Sequence, residues 1–169
     1  MGAPADWLRR GRRFFGTLWA RPSPADLAEA ETVLGPTATR LFRAMSPADQ
    51  WHALRVYHRI RGAGHDDPDL LQAALLHDVG KARAPLSVWH RVLVDLGSSY
   101  WPRALVVLEQ RGPAGLRRSL AVALNHPALG AREAAALGLP PRVVALIAGD
   151  PDPALAPLVG ILREHDSKE

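Results

Sequence analysis

The chain has 169 residues, 47% of them hydrophobic, and it contains no cysteine. This length and composition are typical of one globular domain with a sizeable core. The lack of cysteine excludes disulfides and thiolate metal ligands, so nitrogen and oxygen would have to hold any metal, and it fits an expected cytoplasmic location. No apolar run approaches the roughly 18 residues of a membrane span, and the charged, proline-containing start is not typical of a secretory signal.

The formal net charge of +4 comes from the first 21 residues, where five arginines stand against Asp6 alone. Apolar side chains alternate with these arginines at helical spacing: Trp7, Leu8, Phe14, Phe15, Leu18 and Trp19. We predict an N-terminal amphipathic helix, within an extension over residues 1–45 that packs on a domain over residues 46–169. The alternative is peripheral contact of this helix with an anionic membrane. The balanced charge of the rest of the chain argues against specific nucleic-acid binding.

Helix-start signals are dense along the chain, whereas strand signals are sparse. Ser23-Pro24-Ala25-Asp26 and Ser46-Pro47-Ala48-Asp49 each combine an N-cap serine, a first-turn proline and an acid at the third position. Asp67-Pro68-Asp69 begins a further helix in the same way, and breaks such as Gly35-Pro36 separate the apolar segments. We predict an all-α bundle of about ten short helices without a sheet.

The segment Leu76-His77-Asp78-Val79-Gly80-Lys81 places an imidazole and a carboxylate side by side where an apolar run ends. On a helix, His77 and Asp78 continue two adjoining apolar stripes, so both polar groups point toward the core. A buried carboxylate beside a buried imidazole is costly unless something compensates it, and a divalent cation compensates both. The alternative is a structural pair satisfied by hydrogen bonds. We predict that Gly80 adopts the left-handed conformation that follows a helix end.

A second core-facing histidine lies on the preceding predicted helix. His52 shares one side of that helix with Val56 and Ile60, so it also continues an apolar face. Together with His77 and Asp78, it forms a plausible three-ligand set. Such ligands suit Mn²⁺, Fe²⁺, Co²⁺, Ni²⁺ or Zn²⁺, and Mg²⁺ stays open as well.

These segments resemble a known family. His52-x-x-Arg55-Val56, followed by Ala73-Ala74-Leu75-Leu76-His77-Asp78-Val79-Gly80-Lys81, is similar to the HD-domain metal-dependent phosphohydrolase superfamily, in its HDIG-like branch. The resemblance covers roughly residues 46–166. It implies a compact multi-helix HD-domain bundle, and a metal site that a distant aspartate completes. In this chain that aspartate is Asp166, which shares a stripe of the last predicted helix with Leu158 and Leu162.

The same resemblance bears on a second metal. Asn125-His126-Pro127 resembles the segment that supplies a histidine to the second metal of binuclear members. The His-His pair that would join it is missing, and Asp150 stands where its first histidine would be. His126 and Asp150 are therefore candidates for a second metal site or a substrate contact. Alternatively, Asp150 only begins a proline-rich turn.

The resemblance implies hydrolysis of a phosphoester by a metal-activated water. We expect Asp78, or alternatively a group next to the metal ligands, to take the proton of that water and Lys81 to neutralise phosphate, so Asp78 and Lys81 are the candidate catalytic residues. The expected substrate is a small phosphorylated molecule, with a nucleotide as one option. The alternative function is a catalytically degenerate module of the same fold that binds a metal, a ligand or another protein. The sequence leaves the oligomeric state open.

Overall fold

The computed structural model describes residues 21–83, Val107 and residues 114–167. Six α-helices lie within these residues: α1 Pro24–Ala44, α2 Pro47–Gly62, α3 Pro68–Leu76, α4 Ala114–Ala136, α5 Pro141–Ala148 and α6 Ala156–Asp166. A short 3₁₀ turn, Val79–Arg83, follows α3. Because this part of the chain contains no strand, the all-α prediction is confirmed.

The first three helices begin at the capping signals found in the sequence. The Ser23 hydroxyl accepts a hydrogen bond from the Asp26 backbone N–H at 3.1 Å, and the Asp26 carboxylate accepts one from the Ser23 N–H at 3.2 Å. The Ser46 side chain accepts from the Asp49 backbone N–H at the start of α2, and the Asp67 side chain accepts from the Asp69 and Leu70 N–H groups at the start of α3. These bonds satisfy backbone donors that a helix start leaves without partners, which explains why local sequence predicted the starts correctly.

The break predicted at Gly35-Pro36 is a kink inside α1. Gly35 has φ 68° and ψ 177°, an orientation that only glycine adopts without strain, and Pro36 lacks the backbone N–H that a continuous helix would use. Leu34 and Ala38 on either side of the kink are both buried. The chain therefore changes direction here while both halves of α1 stay on the core.

All six helices contribute to one hydrophobic core. Its fully buried large side chains include Phe42, Tyr57, Ile60, Leu70, Leu75, Leu146 and Val143. Helix α1 belongs to this core through Ala30, Leu34, Ala38, Leu41 and Phe42. The amphipathic helix predicted near the N-terminus lies outside the described residues, so its packing and its membrane contact stay predictions. Within the described residues, no helix combines the length and the apolarity needed to cross a bilayer.

Leu70→Ala should lower the free energy of unfolding by about 2–5 kcal/mol, because it opens a cavity at a fully buried position. Leu137→Ala is the matched control, since that side chain is 40% exposed and its loss should cost less than about 0.5 kcal/mol. Urea unfolding followed by circular dichroism measures both changes. Equal losses in the two variants would contradict this placement of the core.

Candidate metal centre

Three helices bring their polar residues to one point. His52 lies in the first half of α2, His77 directly follows α3, and Asp166 is the last residue of α6. One ligand atom from each of these residues lies within 4.8 Å of the other two. The group could therefore hold a metal ion, and it includes both imidazoles that the apolar stripes predicted.

The separations between these ligand atoms fit a coordination sphere. His52 Nε2 lies 3.3 Å from His77 Nε2 and 2.8 Å from Asp166 Oδ1. His77 Nε2 lies 3.4 Å from the same Asp166 oxygen. Metal bonds of about 2.0–2.2 Å with tetrahedral or octahedral angles place neighbouring ligand atoms roughly 2.8–3.6 Å apart. A small divalent ion would thus fit among these three atoms with little rearrangement.

The tautomer of His77 is set by the end of α3. His77 Nδ1 lies 2.9 Å from the Ala74 carbonyl oxygen, and because a carbonyl only accepts, Nδ1 is the donor. Ala74 belongs to the last turn of α3, where carbonyls lose their intrahelical partners. A neutral imidazole bonded in this way directs its Nε2 lone pair at the other two members of the group, as a metal ligand must.

Asp78 lies beside this group and is almost fully buried. Its Oδ1 is 3.6 Å from His77 Nε2, and its Oδ2 is 3.8 Å from His52 Nε2. The Lys81 ammonium donates a hydrogen bond to the same Oδ2 at 2.7 Å. The Asp78 carboxylate thus lies close to both imidazoles and to the Lys81 ammonium. That Asp78 binds a metal stays a prediction.

His126 approaches Asp78 from the middle of α4. Its Nε2 lies 3.3 Å from Asp78 Oδ1, while its Nδ1 donates to the Ala123 carbonyl at 2.7 Å. In a regular helix that carbonyl would accept from the backbone N–H of residue 127, which is a proline without a donor. The His126-Pro127 sequence therefore frees the carbonyl that orients the imidazole, a signal that was available from the sequence alone.

Asp150 has a different part in the structure. Its carboxylate accepts a hydrogen bond from the Asp152 backbone N–H at 2.9 Å, so it organises the turn that follows α5. This is the turn that the alternative interpretation proposed. A contribution of Asp150 to a second metal or to substrate stays a prediction.

The prediction that Gly80 adopts a left-handed conformation is wrong. Gly80 lies in the 3₁₀ turn, and the left-handed glycines of the described residues are elsewhere, at Gly35, Gly64, Gly138 and Gly149. A Cβ atom at Gly80 would lie 2.1 Å from the carbonyl oxygen of His126. Glycine is required here because the α4 backbone packs directly against it, which no local pattern reveals.

Charge balance in the cluster favours a cation. Burial opposes ionisation of Asp78, but Lys81 and His77 lower its pKa well below the usual range. Burial likewise opposes ionisation of Asp166, and its hydrogen bonds with His52 and His77 lower its pKa. Burial disfavours the charged form of His77, yet Asp78 and Asp166 raise its pKa. The carboxylates thus favour the protonated form of the His77 imidazole, at the position where a metal ion could supply the positive charge instead.

Asp49 is a neighbour of the site that the sequence assigned only to helix capping. It is one turn before His52 on α2 and is only 4% exposed. Burial lowers the pKa of Lys81, but Asp78 first, and then Asp49 and Asp166, raise it. The spacing of three residues between Asp49 and His52 was the available signal, because it places both on one face of the helix.

No protein-family model, curated protein or solved structure matches the chain. Its function is therefore inferred from the geometry, charge and chemistry of the residues around His77 and Asp78.

His77→Ala and Asp166→Ala should each weaken Mn²⁺ binding by at least the roughly 10–100-fold that loss of an outer partner costs, because each removes a ligand atom. Isothermal titration calorimetry of the full chain measures the affinity and the stoichiometry. His58→Ala is the matched control, since this imidazole is 43% exposed and faces Asp26. Unchanged affinity in both ligand variants would show that the ion binds elsewhere.

Mn²⁺ affinity should fall as the pH is lowered. The raised pKa of His77 keeps a proton on this imidazole at a pH where an ordinary histidine, with a pKa of about 6.5, has lost it. A metal binds only the deprotonated nitrogen. Mn²⁺ binding therefore releases the His77 proton at pH values below the raised pKa. Above that pKa, the Mn²⁺ affinity no longer depends on this proton. Titrations in buffers of different ionisation enthalpy measure the released proton, and its absence at every pH would contradict this account.

Proposed function

We propose that the chain is a metal-dependent phosphohydrolase with an HD-type fold, which cleaves a phosphoester of a small molecule such as a nucleotide. The observation that carries the proposal is the convergence of two imidazoles and a carboxylate from α2, α3 and α6 within 4.8 Å. Beside them stand the half-buried ammonium of Lys81 and the further imidazole of His126. A metal, a cation for phosphate and a proton acceptor are the parts that phosphoester hydrolysis requires.

Partial exposure of the cluster supports a catalytic role over a purely structural one. The side chain of Asp166 is 44% exposed, and those of Lys81 and His126 are 26% and 23% exposed. A structural metal site is closed by four protein ligands, whereas a catalytic site keeps a position for water or substrate. Three ligand atoms next to accessible polar groups match the second arrangement.

Nitrogen and oxygen ligands favour Mn²⁺, Fe²⁺, Co²⁺, Ni²⁺ or Zn²⁺ as the ion. Mg²⁺ is the weakest candidate, because it prefers oxygen ligands and keeps several waters. When bound, such an ion would lower the pKa of a water ligand and polarise a phosphoryl oxygen.

Asp78 and Lys81 have separate roles in the proposed reaction: Asp78 accepts a proton, and Lys81 binds the phosphate. Asp78 Oδ1 faces the imidazoles and would accept the proton of the water that attacks phosphorus. The bond from phosphorus to the leaving oxygen would break, and that oxygen would take a proton from solvent. Lys81 Nζ donates a hydrogen bond to Asp78 Oδ2. A phosphate that draws the ammonium toward itself weakens this pairing and raises the basicity of Asp78. His126 Nε2, next to Asp78 Oδ1, then lines the substrate side as a hydrogen-bonding group.

A non-catalytic module of the same fold is the second candidate function. The observation that favours it is the 2.7 Å hydrogen bond between Lys81 and Asp78, because an internal cation already balances one of the carboxylates. Such a module would bind a metal or a ligand without turning it over. Turnover therefore separates the two functions.

We expect the full chain, supplied with Mn²⁺, to hydrolyse 4-nitrophenyl phosphate or bis(4-nitrophenyl) phosphate. Asp78→Asn should lower kcat by about 10²–10⁴-fold, because it removes the proton acceptor. Lys81→Met should lower kcat/KM by roughly 10–100-fold, since it removes a charged hydrogen bond to phosphate.

The control for these variants is Arg132→Ala, which removes an exposed cation of α4 and should leave turnover unchanged. Stoichiometric Mn²⁺ binding without turnover on mono- and diesters, including nucleotides, would support the non-catalytic module.

A further inference from the structure

We propose that Gly80 and Gly130 are positioning residues, whose backbone contact holds His126 of α4 within reach of Asp78. The inference rests on the proposed function only where it concerns turnover. It assigns a purpose to two glycines whose backbone angles do not require glycine.

The contact leaves no room for a side chain at Gly80. A Cβ there would lie 2.1 Å from His126 O and 2.8 Å from Gly130 N. Real Cβ atoms essentially never approach other heavy atoms more closely than 3.0 Å. Because the atoms it would meet belong to backbone, no side-chain rotation relieves the overlap.

Gly130 forms the other half of the contact with a milder constraint. A Cβ at this position would lie 2.9 Å from Val79 Cγ1 and 3.2 Å from Gly80 N. Both overlaps are smaller than those at Gly80, although the nearer atom belongs to Val79, a fully buried β-branched side chain that turns little. Alanine at position 80 should therefore push the two backbones far apart, and alanine at position 130 should push them apart less at the same interface.

The contact between Gly80 and α4 lies between Asp78 and His126, the two residues whose distance it is proposed to set. Asp78 precedes Gly80 by two residues on one side, and on the other side the crowded oxygen belongs to His126 itself. The His126 ring is fixed to its own helix by the bond from Nδ1 to Ala123 O at 2.7 Å. Whichever backbone retreats, the ring therefore moves with α4, and the 3.3 Å approach of Nε2 to Asp78 Oδ1 lengthens.

A retreat of roughly 1 Å is enough to change the chemistry. It takes the distance between His126 Nε2 and Asp78 Oδ1 beyond hydrogen-bonding range. A misplacement of about 1 Å in an active site costs up to about 100-fold in rate. The ligand atoms of His52, His77 and Asp166 come from segments other than α4, so a retreat of α4 moves His126 and leaves that group in place.

The decisive measurement uses the metal-free full chain and needs no substrate. Long-range ¹H–¹⁵N spectra report the imidazole nitrogens of His126, identified by their loss in His126→Ala. Asp78→Asn should shift these signals in the wild-type background, and this response measures the coupling of the two side chains. In the Gly160→Ala background, we expect Asp78→Asn to shift the His126 signals as much as it does in the wild-type chain. The shift should be smaller in the Gly130→Ala background and largely lost in the Gly80→Ala background.

Gly160→Ala is the matched control, because a Cβ at this helical glycine meets nothing within 4 Å. A response in Gly80→Ala and Gly130→Ala as large as in the control would overturn the inference. If alanine at position 80 prevents folding, Gly130→Ala decides, since its closest overlap, 2.9 Å, is much milder than the 2.1 Å at position 80.

A second experiment separates positioning from a structural role. The carbonyl that obstructs alanine at position 80 belongs to the backbone, so it persists in His126→Ala. Gly80→Ala should therefore lower the urea midpoint equally in both backgrounds. Its loss of 4-nitrophenyl phosphate turnover in Mn²⁺ should vanish when His126 is already alanine. An equal turnover loss in both backgrounds would overturn the positioning role.

The two proposals fail separately. If the wild-type chain hydrolyses nothing, the proposed function fails, while the ¹⁵N response still decides whether the glycine contact positions His126.

Discussion

The structure around the cluster depends on one constraint, which is that negative charge inside the core must be balanced. Asp78 is only 2% exposed, and Asp166 directs an oxygen at two imidazoles. A buried carboxylate is tolerated only when partners compensate the loss of water. Lys81 balances part of this charge, and a proton on His77 or a metal ion can balance the rest. The ends of α3 and α6 and the first half of α2 therefore have to meet where they do.

Imidazole orientation in this site depends on defects in helical hydrogen bonding. The Ala74 carbonyl receives His77 because α3 ends at Leu76, and the Ala123 carbonyl receives His126 because Pro127 has no N–H. In each case the imidazole Nδ1 donates to a backbone carbonyl that has no helical N–H partner. This hydrogen bond fixes the tautomer, so Nε2 points into the cluster. Helix termination and an internal proline, which usually weaken a helix, here provide the rigidity that a ligand set needs.

The parts of this molecule that sequence predicts are the local ones. Caps at Ser23, Ser46 and Asp67 and the apolar stripes under His52 and His77 depend on neighbours within a few residues, and they place three helix starts and two imidazoles correctly. The purpose of Gly80 was misjudged because it depends on α4, which is distant in sequence. The break at Gly35-Pro36 belongs with the local successes, since Gly35 has non-helical backbone angles and α1 consists of two helical segments joined at this kink. Asp166 was reached through family resemblance, because its helical stripe alone does not distinguish a ligand from a surface acid.

The residues of the site fall into the same two groups: those placed by local sequence and those placed by packing between distant segments. His77, Asp78 and Lys81 lie within five residues, so the end of α3 and the 3₁₀ turn fix their mutual geometry. His126 and Asp166 arrive on separate helices, and their placement depends on packing: the glycine contact for α4, and burial of Val159 and Leu162 for α6. Close-packed interfaces have discrete arrangements and do not deform continuously. If the proposed function holds, activity should therefore depend on helix packing through these two distant residues, while local structure determines the geometry of the His-Asp segment.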